Sequence, residues 1–583
     1  MKPALSSPAL RRAPRPRHRP RALKGLAATA ALVACAGLVA GCGSSNPGGT
    51  SADPATAVPA SAALYAGATV RPTGSLQQQA RAAGRALSHQ ADPYLRLVAA
   101  LQTPGSPTLS YSRDVEPWLG PYAGVFLTSL HASATIPSLL EHGLLGGGAP
   151  GAFPFGTGGA EGAIVLDTSN PEKARSFLDS QAAHAGAHTT SFHGVSYELS
   201  SGGVAFGLVH DFAVIGSQSG LRGVIETTGG GSSLAHAGGY AKLLAAAPAG
   251  ALAHLYTKAA ASQAAGGEGL SGVLQVLAGT HEANISLVPA ATSLALDADT
   301  LAPEASPQSD GLLSADPESA QALDELPGES WLAIGLGHVG ATLSKDAQDI
   351  QGLVSLGSSV GSSGPTAPAT GFGLDSLFTG LIAPLEILGA DNAQAKHEFA
   401  SWMGRAGIFA SGAGLLELRA AVVITSTDPA ASQAAVNELA AALRKAGGAT
   451  APASIPGTDA AVGVRLTGLP LVLDIANGRA ADGQTKFVLG LGEQSVTSAL
   501  NPPSTLAGSP ARAAAAASLG EGIQPSVILD FPTLVSLFEG IGLLEQPPLA
   551  QFAPYLRSAT TLAGGGRQLS GEVQRFRLVF GLR

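Results

Sequence analysis

The stretch "AIVLDTSNPEKARSFLDSQAAHAG", residues 163–186, contains the signals of a strand, a turn and a helix in immediate succession. Its apolar run Ile164–Leu166 is typical of a short strand. Asn170 followed by Pro171 predicts a helix start, because Asn caps free N–H groups and Pro fits the first helical position. Gly186 predicts the helix end. The positions that recur on one helix face are Ala174, Phe177, Leu178 and Ala182.

A second stretch, "AVVITSTDPAASQAAVNELAAALRKAG" at residues 421–447, has the same design. Val422–Ile424 predicts the strand, Asp428 and Pro429 the helix start, and Gly447 the helix end. One helix face carries Val436, Leu439, Ala440 and Leu443. The pattern therefore indicates the same strand and helix twice.

Other segments also recur, which indicates an internal duplication. Trp118 and Trp402 each precede one of the two strands. A common offset of 275 residues relates "FAVIGSQSGL" from Phe212 to "FVLGLGEQSV" from Phe487, and Leu255–Tyr256 to Asp530–Phe531. We therefore expect two related copies of one unit.

The elements between these landmarks define the expected fold class. "GVSYELSSGGVAFGLVHDFAVIG", residues 194–216, reads as hairpin-connected strands, and each copy closes with a strand, at residues 284–299 and 572–582. Strands outnumber helices, so we predict an α+β fold in which each repeat is a mostly antiparallel sheet with packed helices. A Pro-, Ser- and Asp-rich linker at 301–319 separates the first repeat, 55–300, from the second, 320–583.

The amino-terminal segment predicts export. Eight Lys and Arg residues precede the uncharged, Ala- and Leu-rich run from Gly25 to Gly41, as in a signal peptide spanning 1–41. Val39–Cys42 resembles the lipobox of bacterial lipoproteins. The resemblance implies cleavage after Gly41, lipidation of Cys42 and a place on the extracytoplasmic face of the membrane. Residues 42–54 read as a flexible tether.

This interpretation restricts the chemistry of the mature chain. Cys35 leaves with the signal peptide and Cys42 carries the lipid, so no thiol remains for catalysis, a disulfide or a metal. Removing eight of the 33 Lys and Arg residues leaves 25 against 41 Asp and Glu, a net charge of about −16. Such a charge argues against binding to nucleic acid.

Several segments resemble a known family. They are "ADPATAVPASAALYAGATVRPTG" from Ala52, "DVEPWLGPYAGVFLTS" from Asp114, the unit around Asn170, and "HDFAVIGSQSGL" from His210. With the lipobox, they resemble an uncharacterised actinobacterial lipoprotein family, domain of unknown function 3352. The resemblance is strongest over residues 52–300, and it implies an architecture and an envelope location without any active-site residue.

The glycines in "SWLAIGLGHVGATLSKD", residues 330–346, raise the question of dinucleotide binding. Gly335, Gly337 and Gly340 match the fingerprint, but its acid about 20 residues further on is absent, since 351–374 contains no Asp or Glu. Aligning Pro327 with Pro59 also places the segment over one without these glycines. We predict a strand that leaves the sheet through a glycine-rich turn, and no cofactor.

Other motifs also favour structural readings. Gly357–Gly361 matches the G-x-S-x-G pattern of hydrolases but lies in a Gly-Ser-rich stretch, without the strand and helix that a nucleophile elbow needs. Asp114 and Glu116 have no counterparts before Trp402, which favours a capping or surface role over acid-base catalysis. Asn284 begins a glycosylation sequon by pattern only. The densest histidine group, His184, His188 and His193, is interrupted by a helix end, which argues against a metal pair.

Two apolar stretches, 376–389 and 533–552, carry Leu, Ile and Phe on more than one helix face. We expect them to form the contact between the copies. The alternative is a groove for a lipid or another apolar ligand. The sequence thus predicts a non-enzymatic, lipid-anchored envelope protein that acts as a binding or interaction module, with no catalytic, cofactor or metal residues. A carrier of an apolar ligand, held in a groove between the repeats, is the first alternative function, and a hydrolase the second.

Overall fold

The computed structural model describes residues 52–88, 98, 101–103, 106–129, 155, 160–258, 282–301, 317–341, 400–414, 416–445, 448–465, 472–545, 550 and 552–583. We call the described residues up to 301 the first half and those from 317 the second half. The predicted signal peptide, Cys42, most of the predicted linker, the G-x-S-x-G motif and the apolar stretch 376–389 lie outside the described residues.

Each half contributes ten strands to one sheet. Those of the first half are β1 Leu64–Thr69, β2 Leu119–Ser129, β3 Glu161–Thr168, β4 His188–Phe192, β5 Val195–Leu199, β6 Val204–Val209, β7 Phe212–Ser217, β8 Ala253–Thr257, β9 Ala283–Pro289 and β10 Ser293–Leu301. Those of the second half are β11 Leu332–Leu336, β12 Met403–Ser411, β13 Arg419–Ser426, β14 Ala449–Pro452, β15 Thr458–Arg465, β16 Val472–Arg479, β17 Thr485–Leu491, β18 Gln524–Asp530, β19 Ala559–Gln568 and β20 Val573–Leu582.

The 20 strands form a single sheet whose ladders are all antiparallel. The first half runs in the order β4-β5-β6-β7-β3-β2-β1-β8-β9-β10. The second half continues from β10 as β20-β19-β18-β11-β12-β13-β17-β16-β15-β14. The strand order within the two halves is therefore the same, and β10 and β20 form the seam between them.

The ladders also relate individual positions of the two halves. Tyr65 pairs with Phe126 and Ala333 with Phe409, and both phenylalanines are buried. Leu64 and Leu332 likewise correspond, as the alignment of Pro59 with Pro327 predicts.

Ten α-helices are described. They are α1 Gly74–Ser88, α2 Pro171–His184, α3 Gln218–Thr228, α4 Gly238–Ala246, α5 Pro317–Asp324, α6 Pro429–Lys445, α7 Glu493–Leu500, α8 Pro510–Leu519, α9 Phe531–Gly540 and α10 Ala553–Ser558. None of the helices in the described part is long and apolar enough to cross a membrane.

Helices cover both faces of the sheet, because both faces are apolar. On β3, Ile164 and Leu166 face α2, while Ala163 and Val165 face the side of α3 and α4. On the second half, α6 and α9 lie on the same face as α2, and α5, α7 and α8 lie on the other. The structure is thus α+β, with one antiparallel sheet between two helical layers.

The predicted strand, cap and helix are confirmed in both halves. Asn170 Oδ1 accepts a hydrogen bond of 3.0 Å from the Lys173 amide, and Pro171 begins α2. Asp428 Oδ1 accepts from the amides of Ala430 and Ala431 at the start of α6. Gly186 follows α2 with φ +62°, a backbone conformation that favours glycine.

The predicted offset of 275 residues is wrong in detail. Phe212 and Phe487 do lie on corresponding strands, β7 and β17, but β7 places Ala213 opposite Leu166, whereas β17 places Phe487 opposite Ile424. Position 487 therefore corresponds to 213. A one-residue shift turns a side chain to the other face of a sheet, which is why the two phenylalanines face opposite helical layers.

Two further expectations are corrected. The ladders relate Leu255–Tyr256 to Val527–Ile528 rather than to Asp530–Phe531, because β8 and β18 pair with β1 and β11 in that register. The closing segment 284–299 belongs to two strands, β9 and β10, since Ala290 and Ser293 close a turn between them.

The apolar stretch from Thr533 packs inside the second half. In α9, Leu534, Val535, Leu537 and Phe538 are buried in a cluster that contains Trp402 and only second-half residues. The predicted contact between the copies is therefore wrong for this helix, because the same apolar surface completes the core of its own half.

Candidate functional site

A row of buried polar side chains crosses five adjacent strands of the sheet. The ladders place Tyr65 of β1, Tyr256 of β8, Asn284 of β9, Asp299 of β10 and Arg575 of β20 side by side. All five are 5% exposed or less. Together with Tyr240, His254, Ser286, Asp297 and Arg577, we call them the polar tract. Burying so many polar groups is costly, so each needs a partner inside the fold.

Two arginine–aspartate pairs join the halves at the centre of the sheet. Arg575 donates to both carboxylate oxygens of Asp299, at 2.7 and 2.9 Å. Arg577 donates to both oxygens of Asp297, at 2.6 and 2.7 Å. We call these four residues the central ion-pair cluster. The two-point geometry fixes the guanidinium planes as well as the charges.

The same arginines also end two helices. Arg575 Nη2 donates to the carbonyl of Ala246, the last residue of α4, at 2.6 Å. Arg577 Nη1 donates to the carbonyl of Leu519, the last residue of α8, at 3.1 Å. A cation at a helix carboxyl terminus satisfies free carbonyls and opposes the helix dipole. The central ion-pair cluster therefore holds one helix from each half against the seam.

The electrostatics of the cluster reflect burial. Desolvation raises the pKa of the Asp299 carboxyl, and the hydrogen bonds from Arg575 oppose that rise. The hydrogen bond to Asp297 raises the pKa of Arg577. Such pairs gain little over a well-packed apolar contact, whereas an unpaired member is strongly destabilising.

The other end of the polar tract is a tyrosine cluster formed by Tyr65, Tyr240, Tyr256 and His254. Tyr240 Oη lies 3.0 Å from His254 Nε2, and the Tyr240 and Tyr256 rings meet edge to face, 5.2 Å apart. Tyr256 Oη donates to Glu282 at 3.1 Å. Gly67 makes room for the imidazole, because a Cβ there would lie 2.6 Å from the His254 ring.

Burial shifts the titration of this cluster. It lowers the pKa of His254 to about 4, although Asp53 acts in the opposite sense. It also raises the pKa of each of the three tyrosines. The cluster is thus neutral at pH 7, with His254 as an uncharged imidazole.

The second half has apolar residues at the corresponding positions. The ladders relate Tyr65 to Ala333, Tyr256 to Ile528, Asn284 to Ala563 and Asp299 to Val579. All four second-half residues belong to one buried apolar cluster. The polar tract is therefore a property of the first half and of the seam, and the fold itself does not require it.

The amino-terminal segment is part of the first-half core. Ala55, Ala57 and Val58 are fully buried beside Tyr65, and the Ala52 amide donates to Asp167 at 3.3 Å. We call Ala52–Val58 the strap. The predicted tether is therefore too long at its carboxyl end, since residues 52–54 belong to the fold. Burial also raises the pKa of the Asp167 carboxyl.

The histidines singled out from the sequence occupy separate elements. His184 ends α2 with Nδ1 2.7 Å from the Ser180 carbonyl oxygen, His188 begins β4, and His193 lies in the β4–β5 turn with φ +47°. Within the described ranges, no group of three His, Cys, Asp or Glu side chains is placed to hold a metal ion.

The remaining sequence candidates have structural contacts. Asp114 accepts from the Ser110 amide at 2.7 Å and pairs with Arg113, whose hydrogen bond lowers the pKa of that carboxyl. Asn284 is 0% exposed, which leaves its sequon inaccessible in the folded protein. A Cβ on Gly335 would collide with the Ser319 carbonyl of α5, so this glycine permits close packing of helix on strand.

The central ion-pair cluster was not predicted from the sequence, although the sequences of β10 and β20 contain a pattern that indicates it. Asp297 and Asp299 alternate with apolar residues in "LALDADTL", and Arg575 and Arg577 do so in "VQRFRLVF". Opposite charges at strand spacing, each in an otherwise apolar strand, favour direct pairing.

The fold and the polar tract together define an α+β protein whose two halves share one antiparallel sheet. A model of the DUF3352 family, described as a protein of unknown function, matches residues 25–582, so the chain belongs to that family. No curated protein matches. Among solved structures, crystal form I of TP0453 is similar over 44% of this chain and 81% of that one, with 10% identity and a TM-score of 0.23.

Proposed function

We propose that this protein is a lipid-anchored interaction module, without enzymatic activity, on the extracytoplasmic face of the cell membrane. Residues 1–41 serve as its signal peptide, and Cys42 carries the lipid. Residues 55–300 and 320–583 are two related repeats joined by the linker 301–319. The repeats arose from one unit, which the shared strand order and the two capped helices support.

The strap is the observation that carries the proposal. About ten residues separate Cys42 from Ala52, and they span at most about 35 Å when extended. The chain then enters the core directly, with Pro54, Ala55, Ala57 and Val58 buried. A lipid on Cys42 would thus hold a large rigid sheet close to the bilayer, an arrangement suited to presenting a binding surface there.

The carrier alternative has less support. Of the two apolar stretches that suggest a groove, the one that the structure describes is buried in the second-half core through α9. The burial of α9 therefore favours an interaction module over a carrier of lipid cargo. Native mass spectrometry of the mature protein would favour the carrier if an apolar ligand copurified with it.

Acyl labelling tests the anchor. Cells that express the wild-type precursor should incorporate labelled palmitate into the protein, and the Cys42→Ala variant should not. Cys35→Ala is the matched control, since it removes the other cysteine, inside the predicted signal peptide, and should leave labelling intact. Labelling of the Cys42→Ala variant would refute the lipid anchor at this position.

A further inference from the structure

The seam joins two strands that hold the same place in the two halves. The β10–β20 ladder pairs Asp297 with Arg577, and the ladders of β9 and β19 show that these two residues also correspond. A pseudo-two-fold axis through the sheet therefore passes between them. At such an axis a strand meets its own counterpart, as in a symmetric dimer. The backbone alone would let β10 accept either β20 or the β10 of another copy.

The charges distinguish these two partners. If β10 paired with the β10 of a second copy about the same axis, Asp297 would face another Asp297 at a position that is 0% exposed. If β20 paired with β20, Arg577 would face Arg577. Either arrangement buries like charges without a partner, which is strongly unfavourable. Pairing β10 with β20 instead gives two bidentate ion pairs.

Stability alone does not explain the cluster. The position that corresponds to Asp299 in the second half, Val579, is apolar and buried in the same sheet. Buried ion pairs seldom outperform apolar packing, whereas they do discriminate between partners by penalising the wrong one.

We propose that the central ion-pair cluster selects the partner of each half: β10 accepts β20 and rejects β10, whether β20 comes from the same chain or from a second copy. The seam is thus an interaction surface that fits the opposite half of another molecule of this protein. The proposal rests on the two related repeats, and it is independent of the lipid anchor.

Two charge-reversed chains test it, both in the mature protein with Cys42→Ser. One chain carries Asp297→Arg with Asp299→Arg, and the other carries Arg575→Asp with Arg577→Asp. Neither can form its own seam, but each half of one chain complements the opposite half of the other. After the two chains are refolded together, light scattering and native mass spectrometry should show a 1:1 dimer. It should exceed both homodimers by roughly tenfold or more, which corresponds to about 1.4 kcal/mol.

A matched control reverses an ion pair away from the seam. Arg512 and Asp324 join α8 to α5 within the second half at 2.8 Å, and chains with Asp324→Arg and Arg512→Asp should remain monomers when mixed. Monomers alone, or heterodimers no more abundant than homodimers, from the seam variants would overturn the proposal.

A neutral variant covers the case in which the reversed chains do not fold. Asp297→Leu, Asp299→Val, Arg575→Ala and Arg577→Leu together remove every charge of the cluster. This variant should lose discrimination and, because same-half pairing is no longer penalised, form dimers at a lower protein concentration during refolding than the wild type does. A neutral variant that dimerises no more readily than the wild type would also overturn the proposal. Acyl labelling of the precursor reports on the anchor separately, so failure of one proposal is distinguishable from failure of the other.

Discussion

The two halves follow the same strand order with different chemistry. On the face covered by α4, the first half has tyrosines, Asn284 and Asp299 where the second half has alanine, isoleucine and valine. The strand order survives this exchange. The path of the chain therefore depends on which positions are buried and on how the turns and caps are made, whereas the identity of the buried residues is set by other demands.

The residues that surround Trp118 and Trp402 also differ between the two halves. Trp118 packs on Phe177 of α2, with ring centroids 5.0 Å apart, and Trp402 packs on Phe487 of β17 at 5.1 Å. The ladders and helix caps relate Phe177 to Ala435 and Phe487 to Ala213. Ala213 lies in the same buried cluster as Trp118, and Ala435 in the same cluster as Trp402. The phenylalanine is therefore on the helix in the first half and on the strand in the second.

The largest expected effect comes from breaking the Asp299–Arg575 ion pair, whose counterpart across the pseudo-two-fold axis is the apolar pair Val579–Ala295. Arg575→Ala should lower the free energy of unfolding by about 4 kcal/mol, because it leaves Asp299 buried without a cation. Adding Asp299→Val gives the seam the Val–Ala combination found at 579 and 295, and should recover at least half of that loss. Urea unfolding of the single and double variants measures both. A double variant as unstable as the single one would show that the halves are not interchangeable here.

The phenylalanine exchange should have the next largest effect. Phe177→Ala should cost about 3 kcal/mol through the cavity beside Trp118. Combining it with Ala213→Phe reproduces the second-half arrangement and should restore most of the stability. Ala213→Phe alone is the control, and should destabilise by overpacking. If the double variant only adds the two losses, measured by thermal unfolding, the correspondence of these positions is wrong.

His254 should make the first half sensitive to acid. Its pKa in the folded protein is about 4, below its usual value, so the neutral form is favoured. The contribution of His254 to the free energy of unfolding is fully present above about pH 6.5 and is lost as the pH falls toward 4. We expect the folded state to lose about 2 kcal/mol of stability between pH 6.5 and pH 4.

The His254→Gln variant should lack this loss, as measured by urea unfolding from pH 7 to pH 4. Asp474 must be allowed for, because burial and Glu493 raise its pKa to about 6. That shift acts in the opposite sense, favouring the folded state as the pH falls through 6. The difference between wild type and variant isolates His254, and equal slopes would contradict the assignment.

The helix caps should give the smallest effect and the closest agreement between the halves. Asn170→Ala and Asp428→Ala should each cost about 1 kcal/mol. The loss at Asp428 should be larger by a few tenths of a kcal/mol, because a carboxylate also interacts with the helix dipole. Asn170→Asp is the matched control and should be neutral or slightly stabilising. A negligible cost in one half alone would show that the shared cap has a different role there.

Local pattern predicted the strand, cap and helix around Asn170 and Asp428, and the antiparallel sheet with its helices. These features depend on residues close together in sequence. The predicted alignment of β7 with β17 was wrong by one residue. The second half has one additional residue between its strand and α7, and matching "FAVIGS" to "FVLGLG" does not reveal this insertion. Whether the halves share a sheet could not be predicted at all.

The polar tract depends on contacts between distant residues. Tyr240 and His254 belong to different elements, and Asp299 meets Arg575 at a separation of 276 residues. Alternating charges in β10 and β20 indicate buried pairing, but pattern alone cannot name the partner. The predicted contact of α9 with the other half was wrong for the same reason, because an apolar helix surface does not reveal which core it packs against.

The seam has a consequence for the order in which the chain folds. Asp297 cannot form its ion pair until Arg577, 280 residues further on, has been synthesised. At ordinary rates, synthesis of the intervening chain takes about 15–55 s. During that time β10 is an open edge of a partly formed sheet, the kind of surface on which nascent chains aggregate. Its two carboxylates are then hydrated and repel other copies of the same edge. Asp297 and Asp299, which are buried in the folded protein, thus protect the incomplete chain from aggregation during synthesis.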